Sequence, residues 1–202
     1  MRPVIIAVVF PLFILFPLRG QTLSSGFLSG LVVSQVDGDP YKGYYKAGFT
    51  GGLFLKKRTS RTLSLQAEIK YIQKGSSDGN RQEGTNTYYR MILHYIEVPV
   101  LAQYAHNKHL TIEGGIAAGF LVHSLEKDEN GIMFDTVPFN PFDLSGTAGF
   151  SYALTDRIRM GARFSYSILR IRKHAGGGEW YLNTGQRNNL FAFTVYYTPF
   201  AW

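Results

Sequence analysis

The strongest constraint in this chain is a separation of side chains at period two. From Arg157 to Ile168 the even positions read Ile, Met, Ala, Phe, Tyr, Ile, and the odd positions read Arg, Arg, Gly, Arg, Ser, Ser. Strands put alternate residues on opposite faces, whereas the period of a helix would mix these two sets. The same split recurs upstream. Leu63, Leu65, Ala67, Ile69 and Tyr71 share one face, opposite Ser64, Gln66, Glu68 and Lys70. Leu110, Ile112, Ile116, Ala118, Phe120 and Val122 oppose Thr111, Glu113, Gly115, Ala117 and Gly119, and Leu144, Ala148, Phe150 and Tyr152 oppose Ser145, Thr147, Gly149 and Ser151.

Extending this pattern predicts strands near 27–36, 44–56, 62–74, 88–104, 109–123, 142–154, 157–171 and 189–200, with the first, second and fourth alternating less cleanly. The connections alternate in length. Residues 57–61, 105–108 and 155–156 are short links, whereas 75–87, 124–141 and 172–188 are long and polar, and 37–43 is intermediate. All long connections then leave one end of the sheet and all short ones the other, as in outer-membrane barrels with outer loops and periplasmic turns. The predicted fold is all-β: an eight-stranded antiparallel up-and-down transmembrane β-barrel.

A soluble barrel of this size would turn its large apolar side chains inward. Here the large apolar set and the small, polar and charged set occupy separate faces. A narrow lumen accepts Gly, Ser, Thr and a few paired charges. Ile, Phe, Leu and Tyr then face outward, which calls for lipid. Composition agrees: charged residues are only 17%, below the usual quarter of soluble domains, while 22 Gly, 13 Tyr and 15 Phe suit a sheet with tight turns. Tyr41, Tyr44, Tyr45, Tyr88, Tyr89, Trp180 and Tyr181 fall at the long-loop ends of strands. Tyr104, Tyr152, Phe200 and Trp202 fall at the short-turn ends, as interfacial aromatic girdles do.

Residues 1–20 read as a secretory signal peptide. Met1-Arg2 is a short basic start, Val4 to Leu18 is uncharged and apolar, and cleavage is expected after Gly20. The apolar run is too short for a membrane-spanning helix and is interrupted by Pro11 and Pro17. The mature barrel domain is then 21–202, with 19 basic against 14 acidic residues. No later segment is long and apolar enough for a spanning helix, so membrane residence must use strands. The terminal strand, with Phe191, Phe193, Val195, Tyr197 and a final Trp202, has the pattern read by the barrel insertion machinery of the outer membrane.

The stretches Ala47–Leu53, Ser64–Gly75, Tyr95–Tyr104 and Ile112–Phe120 resemble the PorT-like outer-membrane β-barrel proteins of the Bacteroidetes lineage. The runs LQ-E--Y--KG and YIEVPVL carry most of that resemblance, which spans the mature chain. It implies a small barrel in the cell outer membrane and little more. The founding member's part in secretion and gliding does not transfer on fold.

Glu68, Lys70, Glu97, Glu113, Arg159 and Arg163 all fall on inward faces. Buried charges need partners, so the expectation is a structural lumen network in which Glu68, Glu97 and Glu113 crowd one wall and Arg163, from across the barrel, bridges two carboxylates. Lys70 and Arg159 would complete it, and a selective pore or proton path is the functional alternative. Pro99 removes a ladder donor, which points to a bulge there.

The remaining motifs suggest no catalytic, cofactor or metal residues. There is no Cys, which excludes thiolate chemistry. His123 and Ser124 are adjacent and face opposite sides, His94 has Tyr95 and Glu97 near it in sequence but no Ser, and His106 and His109 flank a turn. Asp37-Gly38-Asp39 is too short for a calcium loop, and Glu126, Asp128, Glu129 and Asp135 read as a solvated loop. Gly176-Gly177-Gly178 reads as a flexible outer loop.

The net charge of +7 does not indicate nucleic acid, because Lys56, Lys57, Arg58 and Arg61 crowd one periplasmic turn, where anionic lipid is the nearer partner. The functional expectation is a small non-enzymatic barrel, structural or partner-binding through its outer loops or periplasmic turns. The alternatives are a narrow porin-like barrel and, more remotely, a lipid-modifying enzyme.

Overall fold

The computed structural model describes residues 23–41, 43–78, 89–133, 137–174 and 185–200. Its strands are β1 (Leu23–Asp37), β2 (Lys46–Arg58), β3 (Leu63–Ser77), β4 (Arg90–Ala105), β5 (Leu110–Asp128), β6 (Gly131–Ile132), β7 (Phe142–Ala153), β8 (Ile158–Ser167) and β9 (Arg187–Phe200). β6 is a two-residue ribbon folded back on the end of β5. The other eight strands each pair antiparallel with the next along the chain, and β1 pairs with β9, so the sheet closes on itself. This is the expected up-and-down barrel. The expected signal peptide at residues 1–20 lies outside the described residues, as do Tyr88, Trp180, Tyr181 and Trp202 of the expected girdles, and Asp135 and Gly176–Gly178 of the long loops.

The exterior is apolar as the alternation requires. Leu31, Phe49, Ile69, Ile116, Phe120 and Phe193 are each more than half exposed. Such a continuous surface suits lipid and not water. Tyr45 at the loop end, and Tyr104 and Tyr152 at the turn end, are exposed in the manner of girdle residues. Tyr41 and Tyr89 depart from that expectation. Their rings stack at 4.2 Å and pack over the barrel interior.

Three local differences from the sequence reading have physical causes. β8 ends at Ser167, short of 171, because the amides of Ile168 and Leu169 both turn to the carbonyl of Leu144. The chain then crosses the mouth, where Ile171 and Arg172 exchange backbone hydrogen bonds with Gln186. Pro99 causes no bulge: it sits in register opposite Ala117, and the β3–β4 ladder merely skips the Val98–Pro99 step. The bulge lies higher, where His94 pairs with His123 but Tyr95 pairs with Leu121, so Val122 is the extra residue. That insertion reverses the phase of β5. Glu113 and Ala117 face inward below it, and Glu126 faces inward above it.

Candidate functional site: the filled lumen

The interior falls into two zones. In the half nearer the short turns, periplasmic in the topology expected from the connection lengths, Arg163 of β8 reaches across to β3 and β5. Its Nη1 donates to Glu68 Oε2 at 3.0 Å, its Nη2 to Glu113 Oε1 at 2.7 Å, and its Nη2 also to the hydroxyl of Tyr196 at 2.8 Å. The planar guanidinium can serve two carboxylates at once because its donors are fixed in a fork. Gly149 lies opposite Arg163, and a Cβ there would fall 2.8 Å from the Arg163 Cα, so β7 and β8 approach closely beneath this side chain.

Glu97 does not join Arg163. It is bound by Lys74 at 2.8 Å and Lys70 at 3.2 Å, both from β3. Lys74 also reaches Asp143 at 3.1 Å, and Asn188 donates to the same carboxylate oxygen at 3.0 Å. Lys70 stands 3.8 Å from Glu68. Arg159 forms no ion pair among the described residues. Its Nη2 donates to Gln66 at 2.8 Å, and its guanidinium lies 4.4 Å from the Tyr196 ring centre. Gln66 also donates to Glu68 Oε1, and Gln103 donates to Gln66 and to Glu113 Oε2.

Among the described residues this half of the lumen therefore sets Lys70, Lys74, Arg159 and Arg163 against Glu68, Glu97, Glu113 and Asp143. Each of these eight side chains is held by at least one polar contact, as buried charge requires. Lys74 and Asp143 are missing from the sequence-derived set, although both lie on inward rows that alternation defines. Below this network a cavity of about 260 Å³ opens at the periplasmic mouth, lined in part by Lys56, Arg58, Arg157 and Arg159.

Toward the outer end the lumen is mainly apolar, which the sequence reading did not anticipate, although Lys74 stands opposite Leu93 there and its ammonium lies 4.9 Å from the Tyr95 ring centre as it reaches Glu97 and Asp143. Val32, Val36, Ile72, Met91, Leu93, Tyr95, Ile171 and Leu190 form one buried cluster. A polar clamp closes it above. Arg172 binds Glu126 through both terminal nitrogens at 2.7 Å, and Tyr89 donates its hydroxyl to Glu126 at 2.6 Å. Arg172 also donates to Gln186 at 2.5 Å and lies 4.4 Å from the Phe139 ring centre. Glu126 is thus no solvated loop residue: it is 5% exposed, on the extended β5.

No catalytic constellation assembles from the histidines among the described residues. His94 faces outward, away from the inward Tyr95 and Glu97, and shares a hydrogen bond with the Tyr71 hydroxyl. Its ring lies 5.5 Å from that of His123. His109 is exposed and stacks on Tyr152. No group of three or more metal-ligating side chains occurs among the described residues.

A closed eight-stranded sheet with a lipid-type exterior and a filled interior defines a small membrane barrel. The chain belongs to the family described as outer membrane protein beta-barrel domain, whose model matches residues 19–171. It resides in the outer membrane. Its fold is similar to that of Ail, the attachment invasion locus protein of Yersinia pestis, at 14% identity over 88% of this chain and 98% of that chain, with a TM-score of 0.53. It is also similar to Neisserial surface protein A, NspA, at 12% identity over 89% of this chain and 99% of that chain, with a TM-score of 0.53. That likeness is one of fold. No curated protein sequence matches the chain.

Proposed function

We propose that this protein is a plugged, non-enzymatic outer-membrane barrel that holds its loops at the cell surface for a protein partner. The observation that carries this reading is the filling of the lumen, by ion pairs in one half and apolar side chains in the other. An eight-stranded barrel has room inside only for side chains, and these occupy it. The finer family assignment, PorT-like and of Bacteroidetes type, rests on the runs at 64–75 and 95–104. On this reading the first twenty residues are removed after Gly20, and the terminal strand directs insertion by the barrel assembly machinery.

Planar-bilayer recording tests the proposal. The refolded barrel should give no steady conductance at either polarity. Stable channels of substantial conductance would instead establish the narrow transport barrel. Protease added to intact cells should cut within 79–87 or 175–184 and spare 57–61. Cleavage at 57–61 would invert the topology and remove the surface-display reading.

A further inference from the structure

The network inside the lumen is balanced, with Lys70, Lys74, Arg159 and Arg163 set against Glu68, Glu97, Glu113 and Asp143. Below it the balance fails. The cavity of about 260 Å³ at the turn-side mouth is lined by Arg159 and, in addition, by Lys56, Arg58 and Arg157. Among its described lining residues Asp156 is the only acid.

These cations face the cavity because of their rows. Lys56 follows the buried Phe54 on the inward row of β2 and stands opposite the buried Gln66, and Arg58 is the next residue of that row. Arg159 shares the row of Arg163 and stands opposite the buried Tyr196. Gln66 fixes its Nη2 at 2.8 Å, and its guanidinium lies 4.4 Å and 5.7 Å from the Tyr196 and Phe54 ring centres. Arg157 enters from the turn between β7 and β8. Cations from β2 and from β8 and its turn thus converge across β1 and β9.

None of them is neutralised locally. Among the described residues Lys56 has neither an ion pair nor a side-chain hydrogen bond, and no carboxylate pairs with Arg58, Arg157 or Arg159. The charges nearest Lys56 are Arg159, Glu113 and Arg58. Glu113 is already engaged by Arg163, through Nε at 3.0 Å and Nη2 at 2.7 Å, and by Gln103 at 2.8 Å. Like charges gathered in a partly desolvated cavity are costly unless an anion offsets them.

The lining says which anion. Lys56, Arg58 and Arg157 against Asp156 leave an excess of two positive charges. A phosphate monoester carries about that much negative charge at neutral pH. Guanidinium forks match its oxygens. The hydroxyls of Ser24, Thr155 and Thr198 share the lining. Thr155 Oγ1 already accepts the amides of Arg157 and Ile158, so its own hydrogen is free for an acceptor. Phe54 and Ala153 supply an apolar wall.

We propose that the turn-side mouth of the lumen is a binding site for a small, water-soluble phosphate monoester. Arg159 and Lys56 hold the phosphate from within, Arg58 and Arg157 close on it at the rim, and its organic group lies against Phe54. The site is inside the barrel wall, so its ligand comes from the water at the short-turn side. It is independent of whatever the outer loops bind.

The test is isothermal titration calorimetry of the refolded full-length barrel in neutral detergent. The probes are phenyl phosphate, phenyl sulfate, inorganic phosphate and succinate. Phenyl phosphate should bind best, at a single site, and more weakly as salt rises. Lys56→Gln should weaken it by about tenfold, the size of one charge-assisted hydrogen bond. Arg90→Gln, at the opposite mouth, should leave it unchanged. Arg58→Gln with Arg157→Gln, at exposed side chains, carries the same test if Lys56→Gln does not fold. Absence of phenyl phosphate binding, or wild-type affinity in these mouth variants, would overturn the site. Phenyl sulfate or succinate binding as tightly would overturn the choice of phosphate, and inorganic phosphate binding as tightly would overturn the monoester. Loss of phenyl phosphate binding when phosphatidylglycerol is added to the detergent would reassign the site to a lipid headgroup.

Discussion

The two halves of this lumen solve the same packing problem with opposite chemistry. The periplasmic half is filled by charges that meet across the barrel, from Arg163 to Glu68 and Glu113 and from Lys74 to Glu97 and Asp143. The outer half is filled by Val32, Ile72, Met91, Leu93 and Leu190, much like the core of a soluble domain. A bilayer constrains only the outward rows, so the inward rows are free to take either form. The halves differ in what failure means. Removing one member of the charged half leaves buried charge without a partner, whereas removing one member of the apolar half leaves a void. The first penalty is the larger.

Arg163→Ala should therefore be the most damaging single change. It removes the shared partner of Glu68 and Glu113 at once and should destabilise the barrel by roughly 3–5 kcal/mol, read as a lowered urea midpoint in liposomes. Replacing the whole unit, Arg163→Met with Glu68→Gln and Glu113→Gln, should recover most of that loss. If Arg163→Ala unfolds like the wild type, the charged half does not hold the barrel together and the contrast fails.

Leu93→Ala probes the other half. Leu93 is fully buried in the apolar cluster, and its truncation should cost about 2–3 kcal/mol. The loss should change little between low and high salt, because the truncated side chain carries no charge and the neighbouring Lys74 keeps its partners Glu97 and Asp143. A salt-dependent loss would show that the apolar half leans on the charges.

The same contrast explains what the sequence did and did not disclose. Strands β3, β5, β7 and β8 alternate cleanly because their inward rows in the charged half are polar, so both the fold and residues such as Glu68 and Arg163 were legible. Strands β1 and β4 blur because their outer halves are apolar on both faces. Val32 and Val36 turn inward beside the outward Leu31, and Met91, Leu93 and Tyr95 turn inward beside the outward Ile96. Period two vanishes where both sides of a wall are greasy. Glu126 was hidden for another reason. A bulge at Val122 shifts the phase of β5, and a shift of one residue exchanges inside for outside. The partner, Arg172, lies beyond β8 on chain that crosses the mouth, a placement set by tertiary contacts and not by local pattern.

Arg172→Ala would test the clamp over the apolar half. Glu126 keeps the Tyr89 hydroxyl, whereas Arg163 serves two carboxylates, so the loss should be smaller than for Arg163, about 1–2 kcal/mol. It should also be local. Amide exchange should quicken at Asn140, Ile171 and Gln186, whose backbone hydrogen bonds hold the crossing segment, and stay slow at Glu68 and Arg163. Uniform acceleration across all strands would mean that the clamp secures the whole barrel.

The smallest expected effect is a pH dependence confined to the clamp side. Asp39 lies between β1 and β2 at the outer mouth. Its Oδ1 accepts the Tyr41 amide at 2.9 Å, and its Oδ2 has no hydrogen-bond partner among the described residues. Burial pushes its carboxyl up from the ordinary 3.8 to about 6, against the pull of the Tyr41 hydrogen bond and of the nearby Arg172 charge. A carboxyl whose pKa is raised on folding holds its proton more tightly in the folded state, so the penalty for burying its charge is fully present above pH 6. That penalty fades as the pH falls through about 6 and is gone below 3.8. Acidification from pH 7 to pH 5 should therefore slow amide exchange around residues 38–45 relative to an Asp39→Asn variant, which has no proton to gain. Exchange differences that stay constant over that range would show that Asp39 is already solvated. A larger pH response in Arg172→Ala than in wild type would show that the clamp's cation is what restrains it.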